Sequence, residues 1–598
     1  MTRPDSGAGP NNAMLKPLRK LSPKRNTSQA ESIDELVAEQ LSHFGIQAET
    51  DFGRTLARIA TRLYENQEDL ESLWKITVET VDHLDRSDRI AYFNAKKFLS
   101  FQLAKSLDTL QIPFRRSYQS LGYRLSTQCA KGPYAIFDNV TAIFSANPVI
   151  ARTATYIYAC AEWIEDAFKG KELLLEIYSR LLNPTAISLA NYIVDLEAGP
   201  YASEYFAWNF NSGMAAIDSI LSHLLGRDDI LIVSRNIYGG AHQLIHDWYG
   251  KSSNLEIAVE SFDGYTSEDF EQCWIETKRK YADRLAAGLK IYLYLESPCN
   301  PHGYVLDVPG ICRRAHAEGV RTILDATVGT PFLVRPLQRE DPMERPDFVI
   351  HSYTKDLSGT GSVIAGVLIG RNEDMFLPKG EAVNGKSWQE TVFWNVYFVK
   401  GAFLNADAAF EVIQGMRTLE VRMLSKCINT RILARFLATH PAISVHCNEL
   451  DTDPNAALRA SLTFLGLPAP LFTIDFERAK LPREAFQRFF DNLAPTFDHM
   501  ISLGQSNTIV SCPALTTHSE MPPHELFKAG ILPTMIRFSI GDEDPLDLLM
   551  HLVYACRLAI DPVIPGFSEQ FATREEAKAI ITMAYLGTHE AYLNEKLS

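Results

Sequence analysis

Phe348-Val-Ile-His-Ser-Tyr-Thr-Lys355 is a short apolar run that ends in a polar cluster, with a lysine last. Similar runs flank it. They are Ile230–Val233, Ile291–Leu295 ending in Glu-Ser-Pro, Val320–Leu324 ending in Asp325, and Val363–Ile369. Helical segments intervene, and Asp307 to Glu318 reads as a helix closed by Gly319. Strand alternating with helix from about residue 200 predicts a doubly wound α/β domain with a mostly parallel sheet. In such sheets ligands sit outside the carboxyl ends of the strands. Glu296, Asp325, Ser352, Thr354 and Lys355 all fall at those ends.

Outward from this region the grammar changes. After about residue 400 a long helix is predicted over 402–437. Strand-like runs follow at Ile443–His446, Phe472–Phe476, Met500–Leu503 and Met535–Ile540, with helices near 482–493 and 545–559. This predicts a smaller C-terminal α+β domain over 401–598, beside a large α/β domain over 151–400. Upstream, Leu36, Val37, Leu41 and Phe44, then Leu56, Ile59, Ala60 and Leu63, recur at helical spacing. Residues 31–150 are therefore expected to form a helical extension, a packing or oligomerisation module, with a break at Ile112-Pro113. Residues 1–30, with Arg3, Lys16, Arg19, Lys20, Lys24 and Arg25, read as a disordered basic tail.

Composition narrows the function. The 598 residues suit about three or four domains. A hydrophobic fraction of 46% and a charged fraction of 22% exclude wholesale disorder and a disulfide scaffold. A net charge of −15 argues against nucleic acid or an anionic membrane as partner. No apolar stretch approaches the roughly 18 residues of a membrane span, and the N-terminus lacks a secretory apolar core. The nine cysteines are dispersed and form no C-x-x-C pair, which predicts free thiols and a cytoplasmic setting.

The strand ends carry the chemistry. A desolvated lysine such as Lys355 can form a Schiff base with an aldehyde cofactor, and an acid such as Asp325 can hold a pyridine nitrogen protonated. Taken singly, Lys355 also reads as a surface lysine and Asp325 as a strand-end cap. Ser352 and Thr354 place two hydroxyls within three residues of the lysine, where they can bind phosphate. Ser212-Gly213-Met214 opens an apparent helix, whose free N–H groups suit an anion. His242 and His246 lie four apart, but no third acidic ligand accompanies them, and no metal is expected.

Ten phrases in order make the chain resemble the Cys/Met-metabolism family of pyridoxal 5'-phosphate (PLP) enzymes, which includes cystathionine γ-synthase, cystathionine lyases and methionine γ-lyase. They are Tyr178-Ser-Arg180-Leu-Leu-Asn-Pro-Thr185, Ser212-Gly-Met-Ala-Ala-Ile217, Tyr238-Gly-Gly240, Leu295-Glu-Ser-Pro-Cys-Asn-Pro301, Asp325-Ala-Thr327, Ser352-Tyr-Thr-Lys355, Gly415-Met-Arg-Thr-Leu419, Ser502-Leu-Gly504, Thr517-His518 and Arg537-Phe-Ser-Ile-Gly-Asp-Glu543. The resemblance covers roughly 170–560 and implies a PLP fold type I, aspartate aminotransferase-like large domain.

It also implies site roles. Lys355 resembles the Schiff-base lysine and the base that moves the Cα proton. Asp325 pairs with the pyridine nitrogen, and Tyr238 stacks on the ring as a catalytic and cofactor-binding residue. Gly213, Met214, Ser352 and Thr354 bind the phosphate, while Tyr178 and Arg180 reach the phosphate of a neighbouring subunit. Asn300 contacts the cofactor hydroxyl or the substrate carboxylate. Arg537 clamps that carboxylate with Ser502 beside it, and Glu296 supports the site.

The implied activity is β- or γ-elimination or γ-replacement on a sulfur-containing or O-acylated amino acid, in a homo-oligomer, a dimer of dimers. Two other readings stay open: a different amino-acid reaction on the same cofactor, and a non-catalytic protein of this fold. Departures from the family pattern fall at Ala241, Ala326, Gly359-Thr360-Gly361-Ser362 and the long 371–400 stretch.

Overall fold

Strands buried on both faces read as continuous apolar runs rather than alternating ones, and the main sheet has this form. Its strands are β1 (Tyr205–Phe210), β2 (Ile230–Ser234), β3 (Ala258–Phe262), β4 (Ile291–Glu296), β5 (Arg321–Asp325), β6 (Phe348–Ser352) and β7 (Gly366–Arg371). The order is β1-β7-β6-β5-β4-β2-β3. Strands β3, β2, β4, β5 and β6 pair in parallel. Strand β7 runs against both β6 and β1. The sequence runs at β2, β4, β5, β6 and β7 lie on observed strands. Two strands carried no such run: β1 is rich in aromatics, and the edge strand β3 holds Glu260 and Ser261.

This computed structural model describes residues 30–81, 94, 97–106, 109, 116, 120–131, 145–156, 168, 178–513 and 532–597. One unit takes in 151–156 and the described residues from 178 on. A second takes in the described residues from 30 to 150 together with 168. In the second unit, α1 (Ile33–His43) is capped by the Ser32 side chain, which accepts from the Glu35 N–H, and α2 (Asp51–Val81) follows. Residues 1–29 of the expected 1–30 tail, the Ile112-Pro113 break and Thr517-His518 lie outside the described residues.

Helices α3 (Pro184–Ala198), α4 (Gly213–Leu224), α5 (Ser267–Lys280) and α6 (Val308–Ala317) accompany the main sheet. Each starts at a side chain that accepts a first-turn N–H: Asn183, Ser212, Thr266 and Asp307. The long 371–400 stretch includes the hairpin β8 (Ala382–Val383) and β9 (Lys386–Ser387). Its aromatic part packs on β1, with the rings of Phe393 and Tyr397 at 4.8 and 4.6 Å from Trp208.

The C-terminal half holds α7 (Ala406–Met416), α8 (Leu419–Leu437) and a sheet of β10 (Ser444–His446), β11 (Leu471–Asp475), β12 (Asp498–His499), β13 (Ile509–Ser511) and β14 (Ile536–Ser539). The order is β10-β11-β14-β13-β12. Helices α9 (Arg483–Asp491), α10 (Pro545–Ala559) and α11 (Arg574–Leu597) complete it.

Two expectations are corrected here. The single helix over 402–437 is two helices. The Leu404 N–H donates to Asn209 rather than to a helical turn, and the chain breaks at Arg417-Thr418 after Gly415, where a Cβ would meet the Ser358 carbonyl at 2.1 Å. The expected strand Met500–Leu503 is irregular. β12 ends at His499, and the Ser502 carbonyl accepts from Arg537 instead of from a neighbouring strand.

A Cβ at Gly366 would lie 2.4 Å from the Ser212 carbonyl and 2.6 Å from Gly213 N, so β7 and the start of α4 approach only because Gly366 has no side chain. Gly366→Ala is expected to cost about 1–3 kcal/mol of stability. Gly587→Ala, inside α11 with nothing within 4 Å of the added carbon, is expected to gain about 0.5–1 kcal/mol. Urea midpoints followed by circular dichroism check both signs.

Candidate active site

The carboxyl ends of β4, β5 and β6 lie side by side, and their last residues are Glu296, Asp325 and Ser352. Glu296 and Asp325 are direct neighbours in the ladder. Both are buried, and burial raises both carboxyls above the usual range, with Asp325 raising Glu296 further. Glu296 is pulled back down by two backbone donors: the Tyr238 N–H at 2.5 Å to Oε2 and the Asn300 N–H at 2.9 Å to Oε1. For Asp325 the Thr327 N–H plays that part, at 3.0 Å to Oδ1.

From Glu296 a continuous run of hydrogen bonds reaches Lys355. Asn300 Oδ1 accepts from Arg537 Nη1 at 3.0 Å. Arg537 Nη2 donates to the Ser502 carbonyl at 2.7 Å, and Ser502 Oγ accepts from Lys355 Nζ at 3.0 Å. Arg537 stands on β14, in the middle of the smaller sheet, and is 2% exposed. Burial lowers it to about 10, opposed by Tyr238. Its Nε is buried without a hydrogen-bond partner among the described residues. Burial also lowers Lys355, Arg537 lowers it further, and Asp356 acts the other way. A lowered lysine presents more free amine at neutral pH.

On the other side of Asp325 the cluster turns polar. The Ser352 N–H donates to Thr327 Oγ1 at 2.8 Å. Thr354 Oγ1 accepts from the Ala365 N–H at 3.0 Å. α4 opens against this turn, because a Cβ on Gly213 would meet Ser352 Cβ at 3.0 Å. Gly213 and Met214 therefore present first-turn N–H groups beside the Ser352 hydroxyl, an arrangement that suits an anion, while the Thr354 hydroxyl is bonded to both the N–H and the carbonyl of Ala365. The Tyr238 ring folds back toward Met214: a Cβ on the intervening Gly240 would lie 2.6 Å from Tyr238 Cε1 and 3.2 Å from Met214 Sδ.

Lys355, Asp325, Tyr238, Gly213, Met214, Ser352, Thr354, Asn300, Arg537 and Ser502 thus belong to one connected cluster. Tyr178 and Arg180 make other contacts. Arg180 Nη1 donates to the Phe398 carbonyl at 2.6 Å, and its guanidinium lies 5.6 Å from the Tyr178 ring. His242 and His246 stack at 4.1 Å, and no group of three metal-ligating side chains occurs among the described residues.

Sequence reasoning missed two neighbours of Asp325, Tyr294 and His351, and the partner of His351, Glu197. Tyr294, on β4, has its hydroxyl raised by burial and by Asp325 and Glu296. His351 Nε2 lies 2.9 Å from Glu197 Oε2, and both residues are wholly buried. His351 stood in plain view beside Ser352. Glu197, at the end of α3, carried no signal linking it to a strand more than 150 residues away.

The arrangement fits PLP. A protonated ring nitrogen at Asp325 would relieve two adjacent buried carboxyls, the hydroxyls and the α4 N-terminus would hold the phosphate, and Lys355 would meet the aldehyde. The comparisons agree. Residues 137–556 match the family model described as Cys/Met metabolism PLP-dependent enzyme. L-Methionine gamma-lyase of Porphyromonas gingivalis is 29% identical over 67% of this chain and 90% of its own. Cystathionine beta-lyase of Coxiella burnetii is 30% identical over 67% and 92%. The crystal structure of cystathionine gamma synthase from Xanthomonas oryzae pv. oryzae, with aminoacrylate and cysteine, superposes with a TM-score of 0.57 at 26% identity, over 70% and 95% of the two chains. A Campylobacter jejuni protein assigned as an O-acetylhomoserine (thiol)-lyase, carrying N'-pyridoxyl-lysine-5'-monophosphate, gives 0.59 at 27% identity, over 69% and 96%.

The lowered Lys355 amine makes a prediction independent of catalysis. At pH 8 a small amine-reactive aldehyde, trapped by reduction, is expected to label Lys355 ahead of exposed lysines such as Lys251. Peptide mapping at short times checks the order.

Proposed function

The chain belongs to the Cys/Met-metabolism family of PLP-dependent enzymes, and on that premise we propose how its residues divide the work. It is a PLP-dependent lyase or transferase of sulfur amino-acid elimination and replacement. Lys355, Asp325, Tyr238, Gly213, Met214, Ser352 and Thr354 would hold the cofactor, with Asn300 at its hydroxyl. When bound, PLP draws the electron pair of the substrate Cα–H bond into its ring.

The chain's own groups supply placement. Arg537 receives the substrate α-carboxylate through its guanidinium edge, steadied by Asn300 and the Ser502 carbonyl. Lys355 Nζ, held 3.0 Å from Ser502 Oγ, is placed to take the proton from Cα; departure from Cγ also needs a proton taken from Cβ, which the same amine can accept once it has handed on the first. Tyr238, 41% exposed at the mouth of the cluster, covers the cofactor ring and keeps water from it. The observation that carries this reading is the unbroken hydrogen-bond run from Glu296 through Asn300, Arg537 and Ser502 to Lys355. It sets the carboxylate clamp and the proton-moving amine at fixed positions.

The substrate we assign is an amino acid such as cystathionine, homocysteine, methionine or an O-acylhomoserine, with departure from Cγ favoured over Cβ. The assembly we assign is a dimer of dimers, in which Tyr178 and Arg180 complete a neighbour's phosphate site. The half-exposed Tyr178 and the contacts of Arg180 away from Lys355 support this. The eight described cysteines are all free, which supports a reducing, cytoplasmic setting.

The test is 2-oxo acid release by the PLP-loaded protein from cysteine, cystathionine, homocysteine, methionine and O-acylhomoserines. 2-Oxobutyrate reports loss from Cγ and pyruvate loss from Cβ. Release is expected to vanish in Lys355→Ala. Adding a thiol to the O-acylhomoserine reactions separates replacement from elimination. No product with any substrate, thiol present or absent, overturns the catalytic reading. Arg537→Lys, which cannot keep both the Asn300 and Ser502 bonds and a carboxylate, is expected to lower kcat/KM about 100-fold, roughly 2.7 kcal/mol.

A further inference from the structure

The residue after Lys355 is a buried acid that the reaction above does not use. Asp356 is 1% exposed, and its Oδ1 accepts from Lys426 Nζ at 2.8 Å; Lys426, on α8, is fully buried. The same Nζ donates to the Gln505 carbonyl at 2.7 Å. Gln505 lies three residues beyond Ser502, the partner of Lys355. Between them, a Cβ on Gly504 would sit 2.5 Å from Asp356 N and 2.8 Å from the Lys355 carbonyl carbon. Arg422, one turn earlier on α8, donates Nη1 to the Asp356 carbonyl at 2.9 Å. The Lys355 turn and the Ser502 loop thus meet at Lys426 on α8, and Arg422 ties the turn to the same helix a second time.

A dry ion pair is a costly fastener. Apolar residues of similar size are often neutral or better for stability. What an ion pair adds is geometry and a set local charge. The charged and titratable groups around it are Arg422 and Cys427 on α8, Asp542 after β14, and Lys355 with Arg537 behind it. The Asp356 side chain acts to raise the Lys355 amine, and Lys426 Nζ is bonded to that same side chain.

We propose that Asp356 and Lys426 form a positioning pair for Lys355, holding the Ser502 loop against its amine and balancing the charge beside it. This rests on Lys355 being the lysine that bonds the cofactor.

The experiment is a pH titration of the visible absorbance of the full-length, PLP-loaded protein, whose midpoint reports protonation of the lysine nitrogen bound to the cofactor. Lys426→Met leaves the Asp356 carboxylate unopposed and is expected to raise the midpoint by about one unit, a tenfold change in proton affinity. Asp356→Asn leaves the Lys426 ammonium unopposed and is expected to lower it by a similar amount. The doubly neutral Asp356→Asn/Lys426→Gln chain is expected to return close to the parent midpoint. Its kcat should still be at least tenfold lower, with KM little changed, because the loop has lost its fastener.

Shifts of the same sign, or no shift, in the folded single variants overturn the inference. If a single variant does not fold, the double variant decides, and parent-like kcat in it overturns the inference. A parent protein whose absorbance band survives in Lys355→Ala overturns the underlying reading of Lys355 instead.

Discussion

One carboxylate holds two loops to the end of one strand. Glu296 closes β4 and accepts the backbone N–H groups of both Tyr238 and Asn300. Those N–H groups belong to segments that must turn sharply after β2 and β4, where no ladder partner remains for them. A buried backbone donor left unpaired costs about 1–3 kcal/mol, so the carboxylate settles two such debts at once. The aromatic cover and the carboxylate clamp of the site take their positions from this contact. If Glu296 moved, Asn300 would move, and Arg537 and Ser502 would lose the reference that fixes them against Lys355.

Burial also shapes the electrostatics of the cluster. Glu296 and Asp325 stand side by side where water cannot screen them, and both hold their protons more tightly than usual. Lys355 and Arg537 lie on the other side of the cluster, and burial there weakens the hold on the proton. Acids made weaker acids and bases made weaker bases coexist within one hydrogen-bonded run. A ligand that carries a cation to the acids and a carboxylate to the arginine relieves both groups. Ligand charge is therefore selected by the penalty it removes as much as by the contacts it makes.

The main sheet was legible because its strands are buried on both faces and end abruptly in polar residues, as at Asp325 and Ser352. The order of motifs along the chain pointed to Lys355, Asp325, Arg537 and Ser502, and the structure joins them. Other features were hidden for identifiable reasons. β3 is an edge strand whose Glu260 binds Lys280 and Tyr281, so its composition is polar. Met500–Leu503 is apolar yet irregular, since its backbone serves Arg537. Glu197 and Lys426 contact the site through tertiary folding alone, and nothing in their local sequence marks them. Contacts between residues far apart in the chain leave no periodic trace in a single sequence.

The aromatic part of the 371–400 stretch also bears on what the sheet can do outside catalysis. An edge strand with open N–H and C=O groups is a template for another chain. At the end of β1 some of those groups are taken. Asn209 O accepts from the Leu404 N–H and the Tyr397 hydroxyl, and the Asn211 N–H donates to Ala402. Phe393 and Tyr397 shield the Trp208 ring beside them. At the opposite edge, β3 carries the Glu260–Lys280 pair. The sheet is thus partly covered at one edge and carries an ion pair at the other. Both features work against the addition of a further strand to the sheet.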